Sequence, residues 1–303
     1  MKVVSVCSSD WANLMYNFDQ ALKSVGVESY SFKLDPHPFR YDKQSKRVTI
    51  EQLKQVIDHS NFIILFHSDW ELLEGIDLTC KTIIPYHTGS KYRNNYELIN
   101  SKLTYELVLT DQTEFIKIRS MTYMAAAIDT SVPQFGHEIK TPVIAHYPSN
   151  PRVKGTELIN RVVSSLQGNY IYKTTNDIVT HEDQLKRIND CDIYVELFNP
   201  SLGGREYGCF GVTAFEAAAA GKIVVTQNLN SNVYELAYGK CPFILCRTEE
   251  ELRHKLTELI NMAPKELSQL QTDTYNWLKE KHSYEATGKR FLELWKEQSG
   301  KQN

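Results

Sequence analysis

Residues 205–226 read Arg-Glu-Tyr-Gly-Cys-Phe-Gly-Val-Thr-Ala-Phe-Glu-Ala-Ala-Ala-Ala-Gly-Lys-Ile-Val-Val-Thr. A glycine-bearing loop runs into a short alanine-rich helix, Gly221 ends that helix, and the β-branched run Ile223–Thr226 follows as a strand. Gly208 and Gly211 lack a Cβ, so the backbone there can approach an anion closely. The amides of Gly211, Val212 and Thr213 would point at that anion from a helix start, where the dipole favours negative charge. Glu216 lies one to two turns further in. It could reach sugar hydroxyls beside a bound phosphate, and the ligand this order suggests is a nucleotide-sugar. An ordinary strand–loop–helix unit with an incidental glutamate has the same spacing, so the rest of the chain must decide.

The same alternation continues on both sides. Val143–His146, Asn169–Lys173, Asp192–Leu197 and Lys222–Thr226 read as strands. Helices are expected at Thr156–Leu166, 181–189, 212–220, 231–238 and 248–261. The tail, Glu266–Lys281 and Tyr284–Glu297, has helical periodicity. In the first half Val3–Cys7, Val27–Leu34, Asn61–His67, Lys81–Tyr86 and Tyr105–Leu109 read as strands. Trp11–Ser24 and Glu51–His59 read as helices, with residues 35–48 a loop. Thr130–His137 has linker texture. The expectation is an α/β protein of two Rossmann-like parallel-sheet domains, 1–136 and 137–303, facing a cleft. The last helix is expected to cross back to the first domain.

Composition narrows the function classes. The chain has 303 residues, about two domains by size, with 42% hydrophobic residues. Lys+Arg number 34 against 37 Asp+Glu, a net charge of -3, so no global basic bias recommends nucleic acid. The 17 tyrosines read chiefly as amphipathic packing. Six cysteines show no C-x-x-C spacing and read as free thiols in a reducing compartment. The N-terminal apolar run is too short for a signal peptide, and no stretch approaches about 18 apolar residues. A soluble, cytoplasmic protein is expected.

Three further strand ends carry candidate chemistry. His146–Thr156 contains Ser149, Asn150, Arg152 and Lys154, with Thr156 placed to cap the following helix. Lys154 beside a helix N-terminus is poorly placed unless an anion joins it. Tyr86–Arg93 brings His87, Gly89 and Arg93 after a strand of the first half; a lone histidine there is as often structural as functional. Cys7–Asn13 forms the first strand-to-helix turn, with Ser8, Ser9, Asp10 and Asn13 on the cleft side. It lacks G-x-G-x-x-G, and Ser9 or Asp10 can simply cap the helix. Asp190-Cys191-Asp192 imitates an Asp-x-Asp metal motif, but it precedes its strand rather than following it, so no metal role is expected.

Together these blocks resemble the family-4-like glycosyltransferases of the GT-B fold. Pro148–Thr156 looks like the segment leading into the first donor-half helix, and Asp192–Glu196 looks like an "aDIyvE" strand. Phe210–Thr226 looks like the "FG…EA-A-G-K-V-V" block, and His87–Arg93 is similar to an "H-x-G-S-x-x-R" segment. The resemblance implies a retaining, metal-independent transferase using a nucleotide-diphosphate sugar, such as a UDP-sugar, with no cofactor. By it, His87, Lys154 and Glu216 would be the catalytic residues. The donor would meet Ser149, Asn150, Arg152, Arg205, Glu206, Gly208, Phe210, Gly211, Val212 and Thr213. Ser8, Ser9, Asp10, Asn13, Gly89 and Arg93 would lie on the acceptor side. Gly208 stands where the family often has glutamate, and Ser149 where it often has arginine. The acceptor (saccharide, lipid, protein or modified DNA) is set by loops 8–20, 35–48 and 87–100. Rival readings are a glycosyltransferase acting on modified DNA bases, served by Arg40, Lys43, Lys46, Arg47, Lys91 and Arg93, a non-catalytic nucleotide-sugar binder, and a nucleotide-sugar epimerase.

Overall fold

The computed structural model describes residues 1–103, 105–131, 139–202, 205–206, 209–227 and 230–300, with backbone alone at 201–202 and 205–206. Two compact units emerge: Met1–Ile128 with His282–Asn303, and Asp129–Lys281. The boundary therefore falls at Ile128/Asp129 rather than at 136, and the chain's end returns to the first unit. Ile128 pairs with Ser283 in an isolated parallel bridge, and the Ile128 amide donates to the His282 carbonyl at 2.8 Å. Most of the expected linker, residues 132–137, lies outside the described residues.

In the first unit the strands are β1 (Lys2–Cys7), β2 (Glu28–Lys33), β3 (Lys46–Arg47), β4 (Phe62–Phe66), β5 (Thr82–His87), β6 (Leu109–Thr110) and β7 (Thr122–Tyr123). The helices are α1 (Leu14–Ser24), α2 (Ile50–Asp58) and α3 (Gly89–Lys102). The sheet order is β3-β2-β1-β4-β5-β6-β7, with every pair parallel. β4 is wholly apolar and buried, as a central strand covered on both faces must be. Sequence order reverses between β1 and β4, whose strands pair directly, so the loops after these two strands diverge there.

Three expectations change in this unit. The first helix starts at Leu14, not Trp11, because Ala12 (φ 56°) and Asn13 (φ 55°) are left-handed. Residues 46–47, expected as loop, pair with β2. α3 carries only two buried residues, Tyr92 and Ile99, so its periodicity was too weak to read.

In the second unit the strands are β8 (Val143–His146), β9 (Ile171–Thr174), β10 (Ile193–Leu197), β11 (Ser201–Leu202), β12 (Arg205–Glu206), β13 (Ile223–Thr226) and β14 (Ile244–Leu245). The helices are α4 (Pro151–Lys154), α5 (Thr156–Ser164), α6 (His181–Asn189), α7 (Val212–Ala219), α8 (Ser231–Tyr238), α9 (Glu249–Ile260) and α10 (Pro264–His282). The parallel sheet runs β14-β13-β10-β8-β9, and β11 and β12 form a separate antiparallel pair. Here the order reverses between β8 and β10. The core joins Ile144, Val195 and Val225 on the sheet to Ile159, Val162 and Val163 of α5 and to Leu252 and Leu256 of α9. Each such side chain contributes about 1.5–3 kcal/mol on burial. Asp190-Cys191-Asp192 sits at the amino end of β10. Its Asp192 carboxylate accepts from the Val143 amide at 2.9 Å, tying the residue before β10 to the first residue of β8.

The final helix, α11 (Tyr284–Ser299), packs on α1. A Cβ on Gly288 would overlap the Ala21 carbonyl oxygen, so glycine permits the two helix backbones to approach. Phe18 and Phe291 meet edge-on at 5.3 Å. Among the described residues no helix is long and apolar enough to cross a membrane.

Candidate functional site

The second unit builds a polar site at its topological switch. After β8 the chain reaches Asn150, whose side chain accepts from the Val153 amide at 3.2 Å and starts α4. Gly155 then turns left-handed (φ 71°) into α5. A Cβ there would overlap the Phe198 carbonyl, so only glycine lets this turn lie against the end of β10. The Phe198 amide donates to the Lys154 carbonyl at 3.1 Å, and Asn199 Nδ2 donates to the carbonyls of Arg152 at 2.9 Å and Val153 at 3.2 Å.

This bracing sets Lys154 Nζ on the carboxylate of Glu196, which is fully buried at the end of β10. Thr226 Oγ1 donates to the other Glu196 oxygen at 3.1 Å. A Cβ on Gly211 would overlap Glu196 Oε1 and stand 3.0 Å from Lys154 Nζ. Lys154 and Gly211, far apart in sequence, are thus brought together at the start of α7. Glu196 was read only as part of a strand. Its apolar neighbours Val195 and Leu197 hid it, and a charged residue inside a buried run was the one signal available.

Glu216, on α7, is in hydrogen-bond contact with His181 Nε2 at 2.6 Å, at the first position of α6. Both side chains remain partly exposed, at 12% and 24%. Ser149, Asn150 and Arg152 are exposed along the same loop, and Val212 and Thr213 are half-buried at the helix start. Phe210 sits elsewhere: it is buried, with Tyr234 at 4.9 Å and Phe243 at 5.2 Å, so its ring is a core element rather than a ligand contact. Gly208 and the side chains of Arg205 and Glu206 lie outside the described residues.

Thr156 departs from its expected capping role. Its hydroxyl meets Nε2 of the buried His146 at 2.9 Å, while His146 Nδ1 meets the Val195 carbonyl at 2.7 Å. A carbonyl only accepts, so Nδ1 carries the proton and Nε2 accepts from Thr156. Burial pulls the His146 pKa down to about 4, keeping the ring neutral.

Of the acceptor-side residues in the first unit, Asp10 and Asn13 are buried, and Ser9 and Arg93 hold partners. His87 is completely buried, stacked on Tyr92 at 4.3 Å, with Nδ1 2.8 Å from Ser68 Oγ. Burial, then Arg119, lowers its pKa to about 3. A ring so placed has no surface with which to meet a sugar. Arg93 pairs with Glu114 at 2.6 Å, and Lys91 pairs with Asp69 and Glu71. Arg40, Lys43, Lys46 and Arg47 are the remaining exposed members of the expected basic rim. Ser9 Oγ donates to Asp35 at 3.1 Å, and the Ser8 amide donates to Asp69 at 2.5 Å. Asn13 Nδ2 donates to the Lys43 carbonyl at 2.8 Å. Asp10 is buried and accepts from the amides of Met15 and Tyr16, so it caps α1 across the left-handed turn. Gly89 opens α3 with φ 63°.

No family model matches the sequence, and no curated protein does. Solved structures do match over nearly the whole chain. HepE of Anabaena, solved with UDP and glucose, superposes with a TM-score of 0.71 at 10% identity, covering 98% of this chain and 100% of that one. The fold is that of the GT-B glycosyltransferases. Sucrose-phosphate synthase of Thermosynechococcus elongatus gives a TM-score of 0.68 at 11% identity, covering 99% and 100% of the two chains. An α-glucosyltransferase solved with UDP and a 13-mer DNA containing an HMU base gives 0.69 at 11% identity, covering 97% and 98%. At these identities the likeness is one of fold.

Proposed function

We propose that this protein transfers a sugar from a nucleotide-diphosphate sugar, with UDP as the nucleotide, to an acceptor in the cytoplasm, with retention and without a metal ion in the transfer step. The meeting of Lys154 with the Gly211 end of α7 carries the reading. A diphosphate leaving group accumulates negative charge as its bond to the sugar breaks. An ammonium and helix-start amides fixed beforehand at that place stabilise the charge without reorganising. Lys154 has one flank on Glu196 and keeps 16% of its side chain open to solvent, enough to meet a second anion. Glu216 would hold the ribose hydroxyls, with His181 fixing the carboxylate. HepE, which shares the fold, was solved with UDP-glucose.

Modified DNA is the second acceptor reading, favoured by the DNA-bound α-glucosyltransferase of the same fold. Salt-sensitive duplex binding separates it from a saccharide acceptor. The primary test is a thermal-shift screen of nucleoside diphosphates and their sugars, followed by donor turnover. Lys154→Ala should lower turnover about 100- to 1,000-fold, the loss seen for one removed transition-state donor. Full rates in both Lys154→Ala and Glu216→Ala would refute the assignment.

A further inference from the structure

The first unit has its own reversal point, between β1 and β4, and its residues are of another kind. Cys7 ends β1, Asp10 lies in the turn after it, and His67 follows β4. All three are buried. Their ligand-capable atoms lie within 4.8 Å of one another. His67 Nε2 has no hydrogen-bond partner among the described residues and faces Asp10 Oδ1 at 3.7 Å, too far for a hydrogen bond. A polar nitrogen left so in the interior is destabilising, and a bound cation would remove that cost.

We propose that Cys7, Asp10 and His67 form a binding site for one zinc-like divalent ion that ties the turn after β1 to the turn after β4. Thiolate, imidazole and carboxylate are together the donor set that zinc takes, with bonds of about 2.0–2.3 Å. Those bonds place neighbouring ligand atoms about 3.3–3.8 Å apart in a tetrahedron, so closure asks for movements of about an ångström. The outer contacts already orient each donor. His67 Nδ1 lies 2.7 Å from Thr88 Oγ1; with that hydroxyl accepting, the proton sits on Nδ1 and Nε2 is left for the ion. Asp10 is held by the Met15 and Tyr16 amides and by Ser45 Oγ at 3.1 Å. Both turns are also strained. Ala12 and Asn13 follow Asp10 in the left-handed region, and His67 (φ 56°) and Ser68 (φ 63°) are left-handed as well. Such backbone persists only where its surroundings over-determine it, and it gathers at binding sites. The ion's role is structural and independent of the transferase reading.

The test uses the full chain, stripped with a chelator and titrated with ZnCl₂ and then CoCl₂. One equivalent of zinc should bind and raise the melting temperature. Cobalt should give the visible bands of a low-coordinate site with a near-ultraviolet thiolate charge-transfer band. Cys7→Ser should abolish that band, and Thr88→Ala should weaken binding about 10- to 100-fold, as loss of an outer-shell partner does. Should Cys7→Ser not fold, the wild-type cobalt spectrum decides alone. A spectrum without the thiolate band, binding unchanged in Thr88→Ala, or no uptake at micromolar metal would overturn the site. None of these outcomes bears on nucleotide binding, which is measured separately.

Discussion

The two units reverse their strand order in the same way yet furnish the reversal point with different chemistry. In the second unit, β8 and β10 diverge to hold Lys154, Glu196 and Gly211, a charged pair with one open flank beside a helix start. In the first, β1 and β4 diverge over Cys7, Asp10 and His67, all buried, and the nearby Lys91 is already neutralised by Asp69 and Glu71. Topology decides where a ligand can enter a parallel sheet. Burial and charge balance at that place decide what the ligand can be. The open ammonium suits an anion, while the sealed cluster of acid, imidazole and thiol suits a small cation.

The sharpest way to break the contrast is to remove one charge from the second unit. Lys154→Ala leaves Glu196 fully buried without its cation, and stability should fall by about 3–5 kcal/mol. Lys154→Met combined with Glu196→Leu should recover most of that loss in urea melts while leaving nucleotide binding impaired. Equal destabilisation by the single and double variants would show that the pair is not the unit of stability.

A smaller effect compares two of the buried imidazoles, one from each unit. Both His87 and His146 have folded pKa values, about 3 and about 4, below the ordinary 6.5. The unfolded chain therefore binds more protons between these values and 6.5, so stability is complete above pH 6.5 and falls as the pH drops. Each ring should cost about 2.5 kcal/mol by a pH of about 4.5. Asp111, raised to about 6 mainly by burial, works in the opposite direction and blunts the slope. Denaturant melts at graded pH should show the slope flattened in His87→Gln and in His146→Gln. A profile unchanged by either would mean the rings are solvated.

The smallest expected effect tests how the Lys154 loop is held. Asn150→Ala removes the cap of α4 and should cost about 1 kcal/mol. If that loop is the rigid arm of the donor site, nucleotide affinity should fall with it. Stability lost with unchanged affinity would show that the Phe198 and Asn199 contacts suffice.

Much of the second unit was legible because its signals are local. His181–Asn189 and Ser231–Tyr238 follow their expected bounds, and the glycine entry to α7 reads directly. The left-handed Ala12 and Asn13 were not legible, since neither residue type announces that backbone. Nor was Phe210, whose ring could equally line a pocket or fill a core; its neighbours Tyr234 and Phe243 settle it. His87 has the right neighbours in sequence for a surface role, yet β5 carries it into the interior.

The alternation of apolar runs, glycine turns and amphipathic helices by itself determined two parallel α/β units, because period and turn chemistry act over a few residues. It also marked Lys154 and Gly211 as separate candidates for one anion. Only the tertiary structure decided that Glu196 joins them, that Thr156 serves His146 rather than a helix end, and that Cys7, Asp10 and His67 converge. Those outcomes depend on which strands lie side by side. Pairing between strands distant in sequence is fixed by burial of the whole sheet, not by any segment's own pattern.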